Sequence, residues 1–216
     1  MSNGVRLAEI IDMNIEKYPY IYGHCYGTMC DQQLFKDIYL LGDKKEYYSK
    51  AAEAGNGMAA YSLGACYMSE KNVEMVIESN MQGVESGHSI CAHTLGDVYR
   101  GKSPIKNVEK DYKKAIEWYE KGADMGDSGS AFAIGLLYYY GEGVEQDYDS
   151  AMQWFKKAVD LDEENGDKEN GYAMYLIGTM YYSGEGVEQD YDIAKDWFDK
   201  AVEAGYMGEL GEIPSN

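Results

Sequence analysis

Several features of enzymes and membrane proteins are scarce or absent in this 216-residue sequence. It has no run of 18 or more apolar residues, which excludes a transmembrane helix. The N-terminal stretch MSNGVRLAEIIDMNIEKYPY has no apolar segment after a basic start, so we expect no secretory signal. Only three histidines occur (His24, His88 and His93), and no G-x-S-x-G motif or phosphate-binding glycine loop accompanies them. We therefore expect no enzymatic activity and no cofactor.

Cysteine is also infrequent, with Cys25, Cys30, Cys66 and Cys91 forming no C-x-x-C pair. This argues against a zinc or thioredoxin-type motif. An even number of cysteines also permits disulfides. However, Cys25 and Cys66 fall in an apolar column of the repeat described below, which favours small buried hydrophobic side chains. We therefore expect reduced thiols and a cytoplasmic protein.

Positive charge is scarce, since 19 Lys and Arg face 38 Asp and Glu, for a net charge of −19. Residues 127–216 hold 20 of the acids and only 5 Lys or Arg, a net −15. Such a surface repels the phosphate backbone, so we expect no nucleic-acid partner. It would attract a basic protein partner. Simple solubility explains the same acidity, and the sequence leaves both explanations open.

Repetition, in contrast, is abundant. GEGVEQDYD at 141–149 recurs at 184–192, and YYYGEGVEQDYDSAMQWFKKAV (138–159) overlays YYSGEGVEQDYDIAKDWFDKAV (181–202). One glycine anchors each copy, and these anchor glycines are spaced by 41, 32, 39 and 43 residues: Gly23, Gly64, Gly96, Gly135 and Gly178. A period near 40 with two helical patterns per unit indicates stacked helical hairpins.

The pattern A-x-x-x-G-x-x-Y, then G-x-G-V-x-x-D, then A-x-x-W-[FY]-x-K-A resembles the Sel1-like repeat family over about residues 17–206. The 34-residue tetratricopeptide repeat does not explain the G-x-G-V-x-x-D insert. The resemblance implies an all-α fold, a right-handed α/α superhelix (solenoid) of about five helix-turn-helix repeats in a single domain, 1–216. The expected parts are a capping helix at 1–17, repeats at about 18–55, 57–87, 89–126, 128–162 and 170–206, and a tail at 207–216. The second copy departs most, because it lacks the loop and its second helix has no aromatic residue.

The repeated nonapeptide has the composition of a connector between the two helices of a hairpin. Gly141 fits the left-handed C-cap of a helix over about 128–140, and Gly143 supplies a second permissive turn position. Val144 is expected to plug between the helices, and Asp147 or Asp149 to cap the next one. A calcium loop is the alternative, but the D-x-[DN]-x-[DN]-G order and the closing Glu are missing. A weak metal site in the acidic stretch 160–170 is a further alternative.

One face of each first helix is the candidate binding site. Positions −3, +1 and +4 from the anchor glycine lie one helical turn apart on a single stripe. In the proteins that this chain resembles, first helices line the concave side, so the stripe is expected to form a groove floor rich in aromatic rings. The expected groove residues are Tyr61, His93, Asp97, Arg100, Phe132, Leu136, Tyr139, Tyr175 and Tyr182. Alternatively, these rings only pack against the next repeat.

The resemblance implies an adaptor or scaffold that binds a partner peptide or helix, basic and with apolar anchors, in this aromatic, acidic groove. The alternative is a dedicated inhibitor, such as an immunity protein that occludes a basic toxin or nuclease. A hydrolase would depend on His24 or His93. His24 and Cys25 cannot form a base–nucleophile pair, because successive helical residues point in different directions. The sequence leaves the oligomeric state open.

Overall fold

The computed structural model describes residues 44–105, 108–165 and 170–206. Within these ranges it contains nine α-helices and no β-strand, which confirms the expected all-α class. In chain order the helices are α1 (Lys44–Glu53), α2 (Gly57–Ser69), α3 (Val73–Glu85), α4 (Ser89–Arg100), α5 (Tyr112–Asp124), α6 (Ser128–Tyr140), α7 (Tyr148–Asn165), α8 (Gly171–Ser183) and α9 (Tyr191–Glu203). The capping helix at 1–17, the tail at 207–216 and the residues His24, Cys25 and Cys30 lie outside the described residues.

The chain divides into two compact units, one ending at Glu109 and the other beginning at Lys110. The first unit contains α1 to α4, and the second contains α5 to α9. Successive helices pack as hairpins within each unit: α2 on α3 in the first, and α6 on α7 and α8 on α9 in the second. The five repeat bounds given above remain a prediction.

The anchor glycine allows the two helices of a hairpin to approach closely. A Cβ atom added at Gly135 would lie 2.5 Å from the ring of Phe155, and one at Gly178 would lie 2.8 Å from the ring of Phe198. Both phenylalanines are buried. Each hairpin of the second unit therefore closes on a phenylalanine ring seated against a bare glycine backbone, a contact that a side chain at the glycine would overpack.

The hairpin of α2 and α3 closes differently, because α3 has Asn80 where the others have phenylalanine. The amide of Asn80 lies against Gly64, and its Nδ2 donates to the Val76 carbonyl oxygen at 2.8 Å. The Oδ1 atom of Asn80 is buried and accepts no hydrogen bond in the described part of the chain. An unsatisfied buried acceptor costs about 1–3 kcal/mol, so the contact of α2 with α3 is weaker than the helix contacts of the two hairpins in the second unit.

The connector glycines have the predicted backbone conformation. Gly141 ends α6 at φ 66° and Gly184 ends α8 at φ 73°, both in the left-handed region. Gly143 and Gly186 follow with φ values of 75° and 69°. Side chains rarely adopt these angles, which explains why both copies carry glycine at both positions.

Asp147, rather than Asp149, caps the helix that follows the connector. Its Oδ1 accepts the amides of Asp149 and Ser150 at 3.0 and 3.2 Å. Asp190 accepts the corresponding two amides at the start of α9. The two carboxylates thus satisfy backbone donors that have no partner inside their helices.

The glutamine of the connector has a role that the sequence analysis missed. Gln146 Nε2 donates to the Tyr139 carbonyl oxygen at 2.8 Å, and Gln189 Nε2 donates to that of Tyr182 at 2.7 Å. Each glutamine therefore closes the carbonyl end of the preceding helix, while the neighbouring aspartate closes the amide end of the next.

Candidate functional site

The nine predicted groove residues lie on four helices. Tyr61 is on α2, and His93, Asp97 and Arg100 are on α4, all in the first unit. Phe132, Leu136 and Tyr139 are on α6, and Tyr175 and Tyr182 are on α8, all in the second unit.

The predicted residues of α4 differ in exposure. His93 Nε2 lies 3.7 Å from Asp97 Oδ2, with both side chains partly exposed. Arg100 is only 3% exposed, although the sequence places it on the same stripe. Arg100 thus presents almost no surface to a partner.

Tyr61 on α2 contacts the residue that opens the following hairpin. Its ring centroid lies 6.3 Å from that of His88, which precedes α4. Burial lowers the pKa of His88, so its imidazole is neutral at physiological pH. Tyr61 therefore belongs partly to the packing of α2 against the start of α4.

A partly exposed aromatic surface covers α6 and α8 in the second unit. The ring of Phe132 packs against that of the buried Phe155, with ring centroids 5.7 Å apart. It also meets the ring of Tyr172 edge-on, with ring centroids 5.6 Å apart. The pKa of Tyr172 is raised to about 12. Burial is the main cause, and the second is a hydrogen bond with the side chain of Tyr140. Tyr140 is 57% exposed and Tyr172 39%.

Leu136 lies one turn from both Phe132 and Tyr140 on α6, and it is half-buried. Tyr175 extends the surface on α8, where Tyr206 stacks on it with ring centroids 4.7 Å apart. We call Phe132, Leu136, Tyr140, Tyr172 and Tyr175 the aromatic surface. Its most exposed members, Tyr140 and Tyr172, were not among the predicted residues, because neither lies in the −3, +1 or +4 column.

Tyr139 meets the ring of Tyr140 edge-on, with ring centroids 5.0 Å apart, and its hydroxyl is bonded to the connector of the next hairpin. The hydroxyl donates to Glu185 Oε2 at 3.0 Å, and the ring meets that of Tyr148 edge-on at 5.5 Å. Burial, followed by the bond to Glu185, raises the pKa of Tyr139 well above its usual range. Tyr139 therefore acts in the contact between two hairpins.

The glutamate of the connector ties one hairpin to the preceding one. Glu185 Oε1 also accepts the Tyr148 hydroxyl at 3.5 Å, and Glu142 Oε1 accepts the Tyr112 hydroxyl at 3.4 Å. Tyr112 and Tyr148 occupy the same place, the first residue of α5 and of α7. The aspartate–tyrosine pair at the start of α5, α7 and α9 is the sequence signal that could have revealed this tie.

Tyr182 has the same position on α8 as Tyr139 on α6. Its ring meets that of Tyr191 edge-on at 5.3 Å, as Tyr139 meets Tyr148. Tyr191 is 39% exposed. The pair repeats the ring geometry of the earlier hairpin at the end of the described chain.

The described ranges contain no group of three or more His, Cys, Asp or Glu side chains arranged to hold a metal ion. Nor does any helix there have the length and apolar character needed to cross a membrane. What the site residues offer chemically is ring surface, hydroxyl hydrogen bonds and negative charge. These groups suit the binding of another macromolecule.

Comparison with known proteins identifies the architecture. The model of the Sel1 repeat matches residues 45–56, 91–127, 128–163 and 171–206, more than half of the chain. The chain belongs to the Sel1 repeat family. The unmatched stretch 57–90 contains α2 and α3, the hairpin whose sequence departs most from the repeat pattern.

Solved structures of Sel1 repeat proteins share its all-α helical solenoid fold. A Sel1 repeat protein from Oxalobacter formigenes superposes with a TM-score of 0.60 at 25% identity, over 74% of this chain and 62% of that one. A protective antigen of uropathogenic Escherichia coli with the same fold gives a TM-score of 0.68 at 24% identity, over 95% of this chain and 42% of that one.

Among curated proteins, the chain is similar to activator of C kinase protein 1 of Saccharomyces cerevisiae. The two are 31% identical over a segment that covers 53% of this chain and 22% of the yeast protein. The chain spans about a fifth of the length of the curated relatives it matches, 22% in the first two cases. Sel1 repeat proteins generally mediate protein–protein interactions.

Proposed function

We propose that this chain is an adaptor or scaffold that binds a partner protein through the aromatic surface of its second unit. The observation that carries the proposal is the exposure of Tyr140 and Tyr172 beside the half-buried Phe132, Leu136 and Tyr175. Rigid rings with a polar edge supply large contact area at low entropic cost and are enriched in binding hot spots. Membership of a protein-binding repeat family supports the same function.

Charge specifies the kind of partner. Residues 127–216, which include α6 to α9, have a net charge of −15. A peptide or helix that carries Lys or Arg beside apolar anchors complements this surface, and its association is steered by the field. In the first unit, Tyr61, His93 and Asp97 remain candidate contacts with a partner protein.

The test is a capture experiment followed by a binding titration. Proteins retained from a lysate of the source cells are identified, and each is purified and titrated against the chain. Replacing Tyr140→Ser together with Tyr172→Ser should raise the Kd at least about tenfold, as expected for hot-spot rings. Ile193→Ser is the matched control, since this side chain on α9 is also exposed but lies outside the aromatic surface. An unchanged Kd in the double variant would refute the assignment.

The acidity favours a second candidate, a dedicated inhibitor that occludes a basic toxin or nuclease. This candidate predicts one partner bound at nanomolar affinity or tighter, with an association rate that falls steeply as salt rises. An adaptor predicts several partners at micromolar affinity. The number of retained partners at low and moderate salt separates the two functions.

We further propose that the chain has no enzymatic activity of its own and acts in the cytoplasm. The first point is supported by the family, whose repeats generally form scaffolds. The second is supported by Cys66 and Cys91, which are both free thiols in the described part of the chain. Microscopy of the tagged chain in its source cells tests the compartment; an extracellular signal would contradict it.

A further inference from the structure

A tryptophan and a lysine recur together on α5, α7 and α9, the second helices of their repeats. On α7, Lys157 Nζ lies 4.8 Å from the ring centroid of Trp154, and the same atom is 3.1 Å from Asp124 Oδ1 at the end of α5. Trp154 packs against a buried alanine cluster that includes Ala123 of α5. The ring and the cation together thus cover the space between two neighbouring second helices.

The other two second helices of this unit repeat the pair. Lys121 Nζ lies 5.3 Å from the Trp118 ring centroid on α5, and Lys200 Nζ lies 4.5 Å from that of Trp197 on α9. In all three cases the lysine follows the tryptophan by three residues, which places it one helical turn away. The tryptophan–lysine pair is therefore present on all three of these helices.

Helix α3 of the first unit lacks both members of the pair. Its register is fixed by Asn80, which faces its anchor glycine as Phe155 and Phe198 face theirs. The tryptophan position is then Ser79 and the lysine position Gln82. Ser79 Oγ donates to the Met75 carbonyl oxygen of its own helix at 2.6 Å, so it does not reach outward.

A cleft of about 630 Å³ opens at this place in the first unit. Ser79 and Gln82 line it together with Ser49 and Glu53 of α1, and Leu63 and Met75 provide apolar wall. Its volume lies within the range of ligand-binding clefts. The cleft is therefore the space between α1 and α3 that a tryptophan and a lysine cover in the second unit.

The cleft has the acidic groups of the corresponding place between α5 and α7, but it lacks the cation that Lys157 supplies there. Glu53 ends α1 as Asp124 ends α5, and Asp124 is the acid that Lys157 bonds. Glu74, Glu78 and Glu85 add three more lining carboxylates. None of the described residues that line the cleft is a Lys or Arg. Lys45 lies over the ring of Tyr67 and is paired with Glu70 at 2.6 Å, and Lys50 is paired with Glu46.

We infer that this cleft binds a segment of another protein that presents a large aromatic side chain, an indole in first place, next to a Lys or Arg. The ring enters against Leu63 and Met75, and the cation reaches Glu53, so the partner supplies the pair that α3 lacks. The site shares the general protein-binding function proposed above, but it involves only first-unit residues and has no residue in common with the aromatic surface.

The test uses the full chain, labelled with ¹⁵N, and a synthetic peptide with the sequence of residues 151–159 and blocked ends. This peptide carries the Trp and Lys of the second unit. The control peptide has Trp154→Ser and Lys157→Gln, the residues found on α3. The first peptide should give saturable amide shifts confined to α1, α2 and α3, and the control should bind at least about tenfold more weakly. Absent saturation, or shifts located on α6 and α8, overturns the inference.

Variants of the chain separate the cleft from other surfaces. Ser79→Trp with Gln82→Lys covers the cleft with the chain's own side chains and should abolish peptide binding. Glu53→Gln should weaken it at least about fivefold through loss of a charge-assisted contact, whereas Glu188→Gln, an exposed acid of the second unit, should leave it unchanged. If the double variant does not fold, Gln82→Lys alone is used in its place. The new lysine should weaken peptide binding, because it competes with the lysine of the peptide for Glu53. Equal affinity in Glu53→Gln and Glu188→Gln would contradict the site.

The two proposals fail separately. Cleft variants should leave capture through the aromatic surface unchanged, and Tyr140→Ser with Tyr172→Ser should leave peptide binding unchanged. Loss of peptide binding in the tyrosine variant would assign the peptide to the aromatic surface and refute the cleft.

Discussion

Replacing Gly186 with alanine should destabilise the chain far more than the same change at a glycine of similar backbone conformation. Gly186 has φ 69°, and an added Cβ would lie 2.6 Å from the Cβ atom and 2.9 Å from the carbonyl carbon of Tyr148. Gly126 has φ 91° and no atom within 4 Å of the corresponding position. The two sites share the left-handed backbone, and only Gly186 has the close approach.

The magnitude follows from these two contributions. A non-glycine residue in the left-handed region costs about 1–2 kcal/mol, and both variants carry this loss. Overpacking against an atom that cannot rotate away costs about 1–3 kcal/mol more, and only Gly186→Ala incurs it. The neighbouring Tyr148 cannot yield easily, because the close contacts are with its Cβ and backbone atoms and its hydroxyl is bonded to Glu185.

The assay is urea unfolding at 25 °C, followed by helical circular dichroism, with wild type, Gly186→Ala and Gly126→Ala compared at equal m-value. The midpoint should fall in both variants, and the free energy of unfolding should be lower for Gly186→Ala by about 1–3 kcal/mol. Equal losses in the two variants would show that the connector does not press on Tyr148 and would refute the tie between hairpins.

Two further predictions concern titrating groups. Burial raises the pKa of Cys91 to about 12, so at pH 8 iodoacetamide should modify Cys91 only after denaturant is added, as read by peptide mass spectrometry; rapid modification of the native chain would contradict its burial. Tyr139 has a raised pKa in the folded state, so its contribution to stability is complete below the unfolded pKa of about 10 and is lost as pH rises through the folded pKa. Tyr139→Phe should therefore lose less stability than wild type between pH 9 and pH 11 in urea titrations, and parallel curves would show that Glu185 does not hold this hydroxyl.

Local structure could be predicted because its causes are local. The left-handed glycine at 141, the end of α6 at Tyr140 and a capping aspartate at 147 or 149 all follow from residues within a few positions of each other. The anchor glycines could be found for a similar reason: a repeated chain must repeat its closest helix contacts, so Gly135 and Gly178 appear at a fixed interval. The family resemblance followed from the same repeats.

The binding surface could be predicted only in part. Helical spacing placed Phe132, Leu136 and Tyr175 on one face, and these lie in the aromatic surface. The same spacing placed Arg100 on the equivalent face of α4, where it is buried. It also grouped Tyr139 with the surface residues; the ring of Tyr139 meets that of Tyr140, but the spacing did not reveal that Glu185 binds its hydroxyl.

The sequence by itself determined the class of fold, the connectors and the helix ends, because these depend on backbone conformation and hydrogen bonds within about one helical turn. Only the tertiary structure decided which rings are exposed and which are covered. Tyr139 and Glu185 are 46 residues apart, and the cleft beside Ser79 joins helices whose residues are about 25–30 positions apart. Periodicity determines which residues share one face of a helix. The stacking of hairpins determines what that face contacts. The tryptophan missing from α3 leaves a cleft because α1 forms its other wall.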